Sequence, residues 1–81
     1  MTPDVSILMP VYNGMPYLRQ AIESVLAQTL TNWQCVIVND GSRDGTRDYL
    51  SSLADERFLI IDQENAGISA AINRGLGHCT A

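Results

Sequence analysis

Eighty-one residues suit one small domain or part of a larger one, since so short a chain buries a smaller fraction of its surface than a full-sized domain. An apolar content of 46% argues against disorder, and a net charge of -4 with five Arg and no Lys lacks the basic stripe of a nucleic-acid binder. Any anion site must therefore rest on backbone amides or individual Arg side chains.

The first predicted element is a strand, Val5 to Val11 (VSILMPV), short, apolar and followed by turn chemistry at Asn13-Gly14. From Pro16 to about Gln28 the period changes to helical: Leu18, Ala21, Ile22, Val25 and Leu26 fall on one face. Pro16 suits a first helical turn, where its missing N–H costs nothing. Trp33 to Val38 (WQCVIV) is the second strand, apolar on both alternating sets of positions apart from Gln34, as a parallel strand covered on both faces should be. Trp33 itself is expected to pack at a sheet edge.

That strand ends at the polar turn Asn39-Asp40-Gly41-Ser42. Asp44 and Thr46 are alternative N-caps for a second helix carrying Tyr49, Leu50 and Leu53. Phe58 to Ile61 (FLII) is the third strand, closed by Asp62-Gln63-Glu64-Asn65. The last helix runs from Ile68 to about Leu76, with Ile68, Ala71, Ile72 and Gly75 at helical spacing. Strands alternating with helices of this length predict βαβ units and a parallel sheet, an α/β Rossmann-like βαβαβα arrangement. Ligands of open α/β sheets bind beyond the strand C-termini. The clusters to inspect are thus Tyr12-Asn13-Gly14, Asn39 to Ser42, and Asp62 to Gly67.

Two common phosphate motifs are absent. Gly41-Ser42-Arg43-Asp44-Gly45-Thr46 has neither the glycine spacing nor the Lys of a P-loop, and the single Gly14 after the first strand cannot serve as GxGxxG. A receiver-type phosphoacceptor would want acids where Tyr12-Asn13 stand. What remains is an aromatic residue at one strand end and a carboxylate at the next. Tyr12 can present its ring to a planar base, and Asp40 can accept a hydrogen bond from a ring N–H such as uracil N3–H. The competing structural roles are a Tyr packed over a helix end and an Asp capping the 41–45 turn.

Three longer segments are more specific. Val5 to Gly14 with Ala21 to Thr29, then Val36-Ile37-Val38-Asn39-Asp40-Gly41-Ser42-Arg43-Asp44-Gly45-Thr46, then Gln63 to Gly75 (QENAGISAAINRG), occur in order and cover nearly the whole chain. They resemble, in turn, the opening, the V-D-D-G-S-x-D-G-T signature and the N-x-G-x-S-x-A-x-N-x-G segment of the family 2 glycosyltransferases. The resemblance implies the N-terminal part of a GT-A fold, with residues 1–81 a single partial domain that binds the nucleotide of a nucleotide-diphosphate sugar. It implies that Asp40 contacts the base, that Pro10 and Tyr12 line the nucleoside pocket, and that Asn13 stands beside them. Asn39 departs from the family's first Asp, and Ile72 stands where many relatives carry Arg.

By the same resemblance the donor is expected to be a UDP-sugar and the acceptor a sugar, a lipid-linked sugar or a protein, with a role in cell-envelope polysaccharide synthesis. A divalent metal, Mg2+ or Mn2+, is implied, but the D-x-D motif that binds it lies beyond the strand that would follow Ala81. The general base comes later still. The chain alone is therefore expected to be inactive, with no catalytic or metal residue assigned to it. The alternative is a non-catalytic α/β nucleotide-binding or assembly module.

Other residues favour structural roles. Asp62-Gln63-Glu64 is expected to be a solvated acidic turn rather than a metal pair, and His78, Arg43, Arg47, Arg57 and Arg74 are expected at the surface. Cys35 and Cys79 are too few and too far apart for a disulfide framework or a zinc site, and Cys35 is expected to be a buried reduced thiol. With no signal-peptide pattern at the N-terminus, a cytoplasmic location is expected, peripheral at the inner membrane face in the full-length protein. Uncovered sheet edges and helix faces predict self-association.

Overall fold

A computed structural model describes residues 3–14, 17–27 and 31–80. Six elements alternate along it: β1 (Val5–Val11), α1 (Tyr17–Leu26), β2 (Trp33–Asp40), α2 (Thr46–Ser51), β3 (Phe58–Gln63) and α3 (Ile68–Leu76). The strands form one parallel sheet in the order β1-β2-β3. Register runs from Val5 opposite Trp33 to Val11 opposite Asn39, and from Cys35 opposite Phe58 to Asp40 opposite Gln63. The predicted βαβαβα order is therefore the observed one. Pro16 and Gln28, the predicted ends of the first helix, lie outside the described residues.

The central position of β2 explains its composition. Helices cover both of its faces, so alternate residues enter two different cores. Cys35 and Ile37 join Leu18, Ile22, Val25 and Leu50 beneath α1 and α2, with Ile7, Met9, Phe58 and Ile60 packed against them. Val36 and Val38 join Ile61 and Ala71 on the α3 face, with Leu8 and Cys79 alongside. Each large aliphatic side chain so buried contributes about 1.5–3 kcal/mol. Leu26, predicted for the apolar face of α1, is exposed, since eight residues from Leu18 it stands about 80° round the helix.

Trp33 corrects one expectation. It opens the central strand, not a sheet edge, and is only 2% exposed. Phe58 meets it edge to face with ring centroids 5.2 Å apart, and the Arg57 guanidinium lies 3.9 Å from its ring centre. Arg57 is held there by Asp55, whose Oδ2 accepts from Nη2 at 2.6 Å, and by the Thr31 carbonyl. The expectation of a solvated Arg57 fails for this reason. Its hydrogen bonds, foremost the side-chain one, lower the Asp55 carboxyl to about 2.

Gln34, the polar exception in β2, clasps the segment after α3. Its Nε2 donates to the His78 carbonyl at 2.8 Å, while Oε1 accepts from Ser6 Oγ at 2.8 Å and from the Thr80 N–H at 3.1 Å. Cys35 is buried and reduced, its thiol pushed up to about 11 by burial and then by Cys79. No helix among the described residues is long and apolar enough to cross a membrane.

Helix α3 approaches the sheet closely at Gly75. A Cβ built there would fall 2.1 Å from Leu8 Cδ1 and 3.1 Å from Val38 Cγ2. A glycine at this position lets the helix settle over β1 and β2, with its first turn above their C-terminal ends.

Candidate functional site

Strands β2 and β3 each run two residues further than their apolar stretches, and this extension builds the site. Asn39 and Asp62 become cross-strand partners, and so do Asp40 and Gln63. Successive residues point to opposite faces, so the first pair faces α1 and α2 while the second faces α3.

Asn39 is buried and bonded through both ends of its amide. Its Nδ2 donates to Asp62 Oδ1 at 3.0 Å and its Oδ1 accepts from the Ser42 N–H at 3.3 Å. An amide can both donate and accept here, whereas a carboxylate only accepts. Arg47 Nε stands 3.8 Å from Asp62 Oδ2 across an exposed gap. The expected solvated turn at Asp62-Gln63-Glu64 is thus corrected: its first two residues belong to β3 and are bonded to β2.

Asp40 lies on the other face and is 4% exposed. Its Oδ1 accepts from Gln63 Nε2 at 2.9 Å and from the Ala66 N–H at 2.8 Å, and its Oδ2 accepts from the Gly67 N–H at 3.0 Å. The Gln63 amide most of all, then the Ala66 N–H, holds this carboxyl below its ordinary value, with burial opposing them. The carboxylate serves the 63–67 segment, not the 41–45 turn that was its structural alternative. That turn is served by Asn39 and by Asp44, which accepts from both the N–H and the hydroxyl of Thr46.

Two glycines make this possible. Gly41 has φ of 70°, and a Cβ on it would lie 2.7 Å from the Asn65 nitrogen. Gly67 has φ of 93°, which aims its N–H at Asp40 while its carbonyl accepts the first bond of α3, from the Ala71 N–H.

The loop after β1 is stitched to the loop after β2. Asn13, at φ 49°, donates its N–H to Ser42 Oγ at 2.9 Å and accepts from the Arg43 N–H at 2.7 Å through Oδ1. The Gly14 N–H donates to Thr46 Oγ1 at 3.1 Å. Asn13 therefore spends its carbonyl oxygen on the frame. It does not line the pocket that the other three candidate residues share.

That pocket, about 80 Å³, is lined by Pro10, Val11, Tyr12, Asp40, Ile68 and Ala71. Tyr12 is 55% exposed and stands at the rim of this pocket. The lining is apolar apart from the Asp40 carboxylate and the Tyr12 hydroxyl. Such a site can receive a planar ring with one N–H directed at the carboxylate. A second depression of about 250 Å³ continues from Tyr12 along Gly14, Tyr17, Leu18 and Ala21.

Arg43, Arg47, Arg74 and His78 are exposed, as expected. Among the described residues, no three His, Cys, Asp or Glu side chains gather to hold a metal ion. The acids nearest the pocket are engaged by amides, so this part of the chain does not fit a metal centre. The sequence pattern missed Gln63 as a partner of Asp40. Ending the third strand at Ile61 hid it, although continuing the strand register by two residues would have set the two side by side.

A three-stranded parallel sheet with helices on both faces, and a pocket beyond its strand C-termini, defines an α/β unit of the Rossmann-like type. The profile described as Glycosyl transferase family 2 matches residues 6–81, and the chain belongs to that family. It is 43% identical over 76 residues to "Glycosyltransferase GlyA" of Streptococcus pneumoniae, covering 91% of this chain and 11% of that protein. It is 45% identical over 75 residues to an uncharacterized glycosyltransferase of Rickettsia prowazekii, covering 93% and 23% respectively. The solved mannosyltransferase of Pyrobaculum calidifontis, in complex with GDP-Man and Mn2+, superposes with a TM-score of 0.82 at 24% identity, over 99% of this chain and 25% of its own. That likeness gives the fold as GT-A. The chain spans between about a tenth and a quarter of the length of these proteins.

Proposed function

We propose that these 81 residues are a partial domain that supplies the nucleoside half-site of a glycosyltransferase, and that its donor is a UDP-sugar. One observation carries this reading: Pro10 of β1, Tyr12 just after β1 and Asp40 at the end of β2 converge on a single pocket at the C-terminal end of the sheet. A carboxylate kept ionised by its amide partners accepts a hydrogen bond from uracil N3–H, while cytosine N3 has no hydrogen to offer. The Tyr12 ring supplies a stacking face. The mannosyltransferase neighbour, of the same fold, carries GDP-Man, so GDP is the nucleotide to set against UDP.

A divalent cation, Mg2+ or Mn2+, would neutralise the diphosphate when the donor reacts, and the described residues offer it no centre. The chain alone therefore does not transfer sugar; turnover of a donor by the purified 81-residue polypeptide would overturn this. The sugar acceptor is engaged outside these residues. Titration of UDP, GDP and CMP against the wild type, Tyr12→Ala and Asp40→Ala tests the pocket. A uridine preference lost in Asp40→Ala and weakened in Tyr12→Ala supports the reading, and equal binding of all three nucleotides by the wild type sinks it.

The second reading, self-association, is favoured by the exposure of Leu26, Leu59 and Leu76 and by the sheet order, which leaves β1 and β3 at the edges among the described residues. Light scattering across concentration tests it, and a monomer throughout counts against it. The location proposed is cytoplasmic.

A further inference from the structure

Asp40 has four acceptor positions on its carboxylate, two on each oxygen. Both positions on Oδ1 are filled, one by Gln63 Nε2 and one by the Ala66 N–H. On Oδ2 the Gly67 N–H fills one. A single acceptor position is left for the pocket, in keeping with a side chain that is almost entirely covered. Three bases differ at this edge. Uracil offers one ring N–H, at N3. Guanine offers two donors side by side, N1–H and the N2 amino group, which pair best with both oxygens of a carboxylate at once. Hypoxanthine, the base of inosine, keeps N1–H and lacks the amino group.

We propose that Gln63 sets the base selectivity of the pocket: by occupying Oδ1 of Asp40 it leaves one acceptor, which suits a single ring N–H and penalises the paired donors of guanine. Gln63 is a positioning residue. It stands behind Asp40 on β3, opposite it in register and outside the pocket lining. Its loss therefore acts by freeing the carboxylate to turn toward the base rather than by opening a position that already faces it. The orientation of its amide is fixed by chemistry, since a carboxylate only accepts and the NH2 group must face it. The Ala66 and Gly67 amides belong to the backbone and cannot be exchanged by substitution. Gln63 is therefore the one donor on Asp40 that a side-chain change can vary. The same bond is the foremost cause holding the Asp40 carboxyl low, so removing it also changes how binding responds to acid.

This inference rests on the reading of Asp40 as the base contact, and the two can fail separately. Affinities of UDP, GDP and IDP are measured by calorimetry for the wild type, Asp40→Ala and Gln63→Leu, with UDP repeated between pH 7 and pH 4. In the wild type, IDP is expected to bind at least as well as GDP, because the extra amino group finds no acceptor. In Gln63→Leu the preference for UDP over GDP is expected to fall by about tenfold, the worth of one added hydrogen bond to a charged group. The loss of UDP binding on acidification should also move to higher pH. The wild-type IDP comparison needs no variant, so it holds even if Gln63→Leu fails to fold. GDP binding tenfold better than IDP in the wild type would overturn the inference. So would a folded Gln63→Leu protein with an unchanged UDP-to-GDP ratio and pH profile. If Asp40→Ala leaves every affinity unchanged, or no nucleotide binds the wild type, the base-contact reading itself fails and this inference with it.

Discussion

Adding one methyl group at Gly75 tests how α3 is held over the pocket. A Cβ there would lie 2.1 Å from Leu8 Cδ1, 3.4 Å from Leu8 Cγ and 3.1 Å from Val38 Cγ2. Apolar carbons rest about 3.5–4.0 Å apart, so the Leu8 methyl must move by more than an ångström. Val38 is fully buried on the central strand and has one stiff side-chain torsion, so it yields little. Overpacking of this kind costs about 1–3 kcal/mol, and exchanging Gly for Ala in the last turn of α3 returns at most about 0.5–1 kcal/mol. Gly75→Ala is therefore expected to lose about 1 kcal/mol and at most about 2.5 kcal/mol, with a fall in Tm of about 4–8 °C for each kcal/mol in a chain of this size. The decisive control is Leu8→Ala, which removes the nearer obstacle. In that background Gly75→Ala should be neutral or mildly stabilising. Urea denaturation of the four proteins, followed by far-ultraviolet circular dichroism, gives the coupling directly. An equal cost of Gly75→Ala in both backgrounds would refute the claim that contact with Leu8 sets the approach of α3.

Asn39→Asp places a second carboxylate 3.0 Å from Asp62 Oδ1. At an effective dielectric of about 20 this repulsion is bounded near ~5 kcal/mol. With relaxation and with Arg47 nearby, a loss of about 1–3 kcal/mol at pH 7 is expected. Thermal melts should show the deficit shrinking on acidification, and a variant as stable as wild type at pH 7 would contradict the account. Asp55→Asn should lower stability at neutral pH. The Asp55 carboxyl is depressed to about 2 from an ordinary 3.8, so its stabilisation is full above about pH 4 and disappears as pH falls through about 2. Melts of both proteins at pH 7 and pH 2 should therefore differ at the first and converge at the second. Gly41→Ala, at φ of 70° and against the Asn65 backbone, should cost at least ~1 kcal/mol and weaken UDP binding by moving the 65–67 segment. Unchanged affinity would detach that segment from the pocket.

The order of elements was legible because each carries its own period: β2 is apolar at both alternating sets of positions, and Leu18, Ile22 and Val25 recur at helical spacing. Tyr12 and Asp40 could be singled out because polar or aromatic residues follow apolar stretches, whereas Pro10 was reached only through the resemblance to the family 2 glycosyltransferases. The strand ends were less legible. Asn39, Asp40 and Asp62 are poor strand formers on propensity alone, and they are held extended by the parallel ladder together with the Asn39–Asp62 and Asp40–Gln63 side-chain bonds. Trp33 read as an edge residue because strand order is a property of long-range pairing that no local window contains. Arg57 read as solvated for a related reason: the partners that hold it, Asp55 apart, are Trp33 at the start of β2 and Thr31 two residues ahead of it.

The stitches between the loops after β1 and β2 divide labour among neighbouring residues. The Asn13, Asn39, Ser42 and Thr46 side chains bond the backbone of these loops, Gly14 through its N–H, and none of the five lines the pocket that Pro10, Tyr12 and Asp40 share. Binding then begins from walls already fixed, which lowers the ordering cost a ligand must overcome. It also frees the lining to vary. Tyr12 and Ile68, which take no part in those stitches, can be exchanged for another surface while the frame keeps its hydrogen bonds.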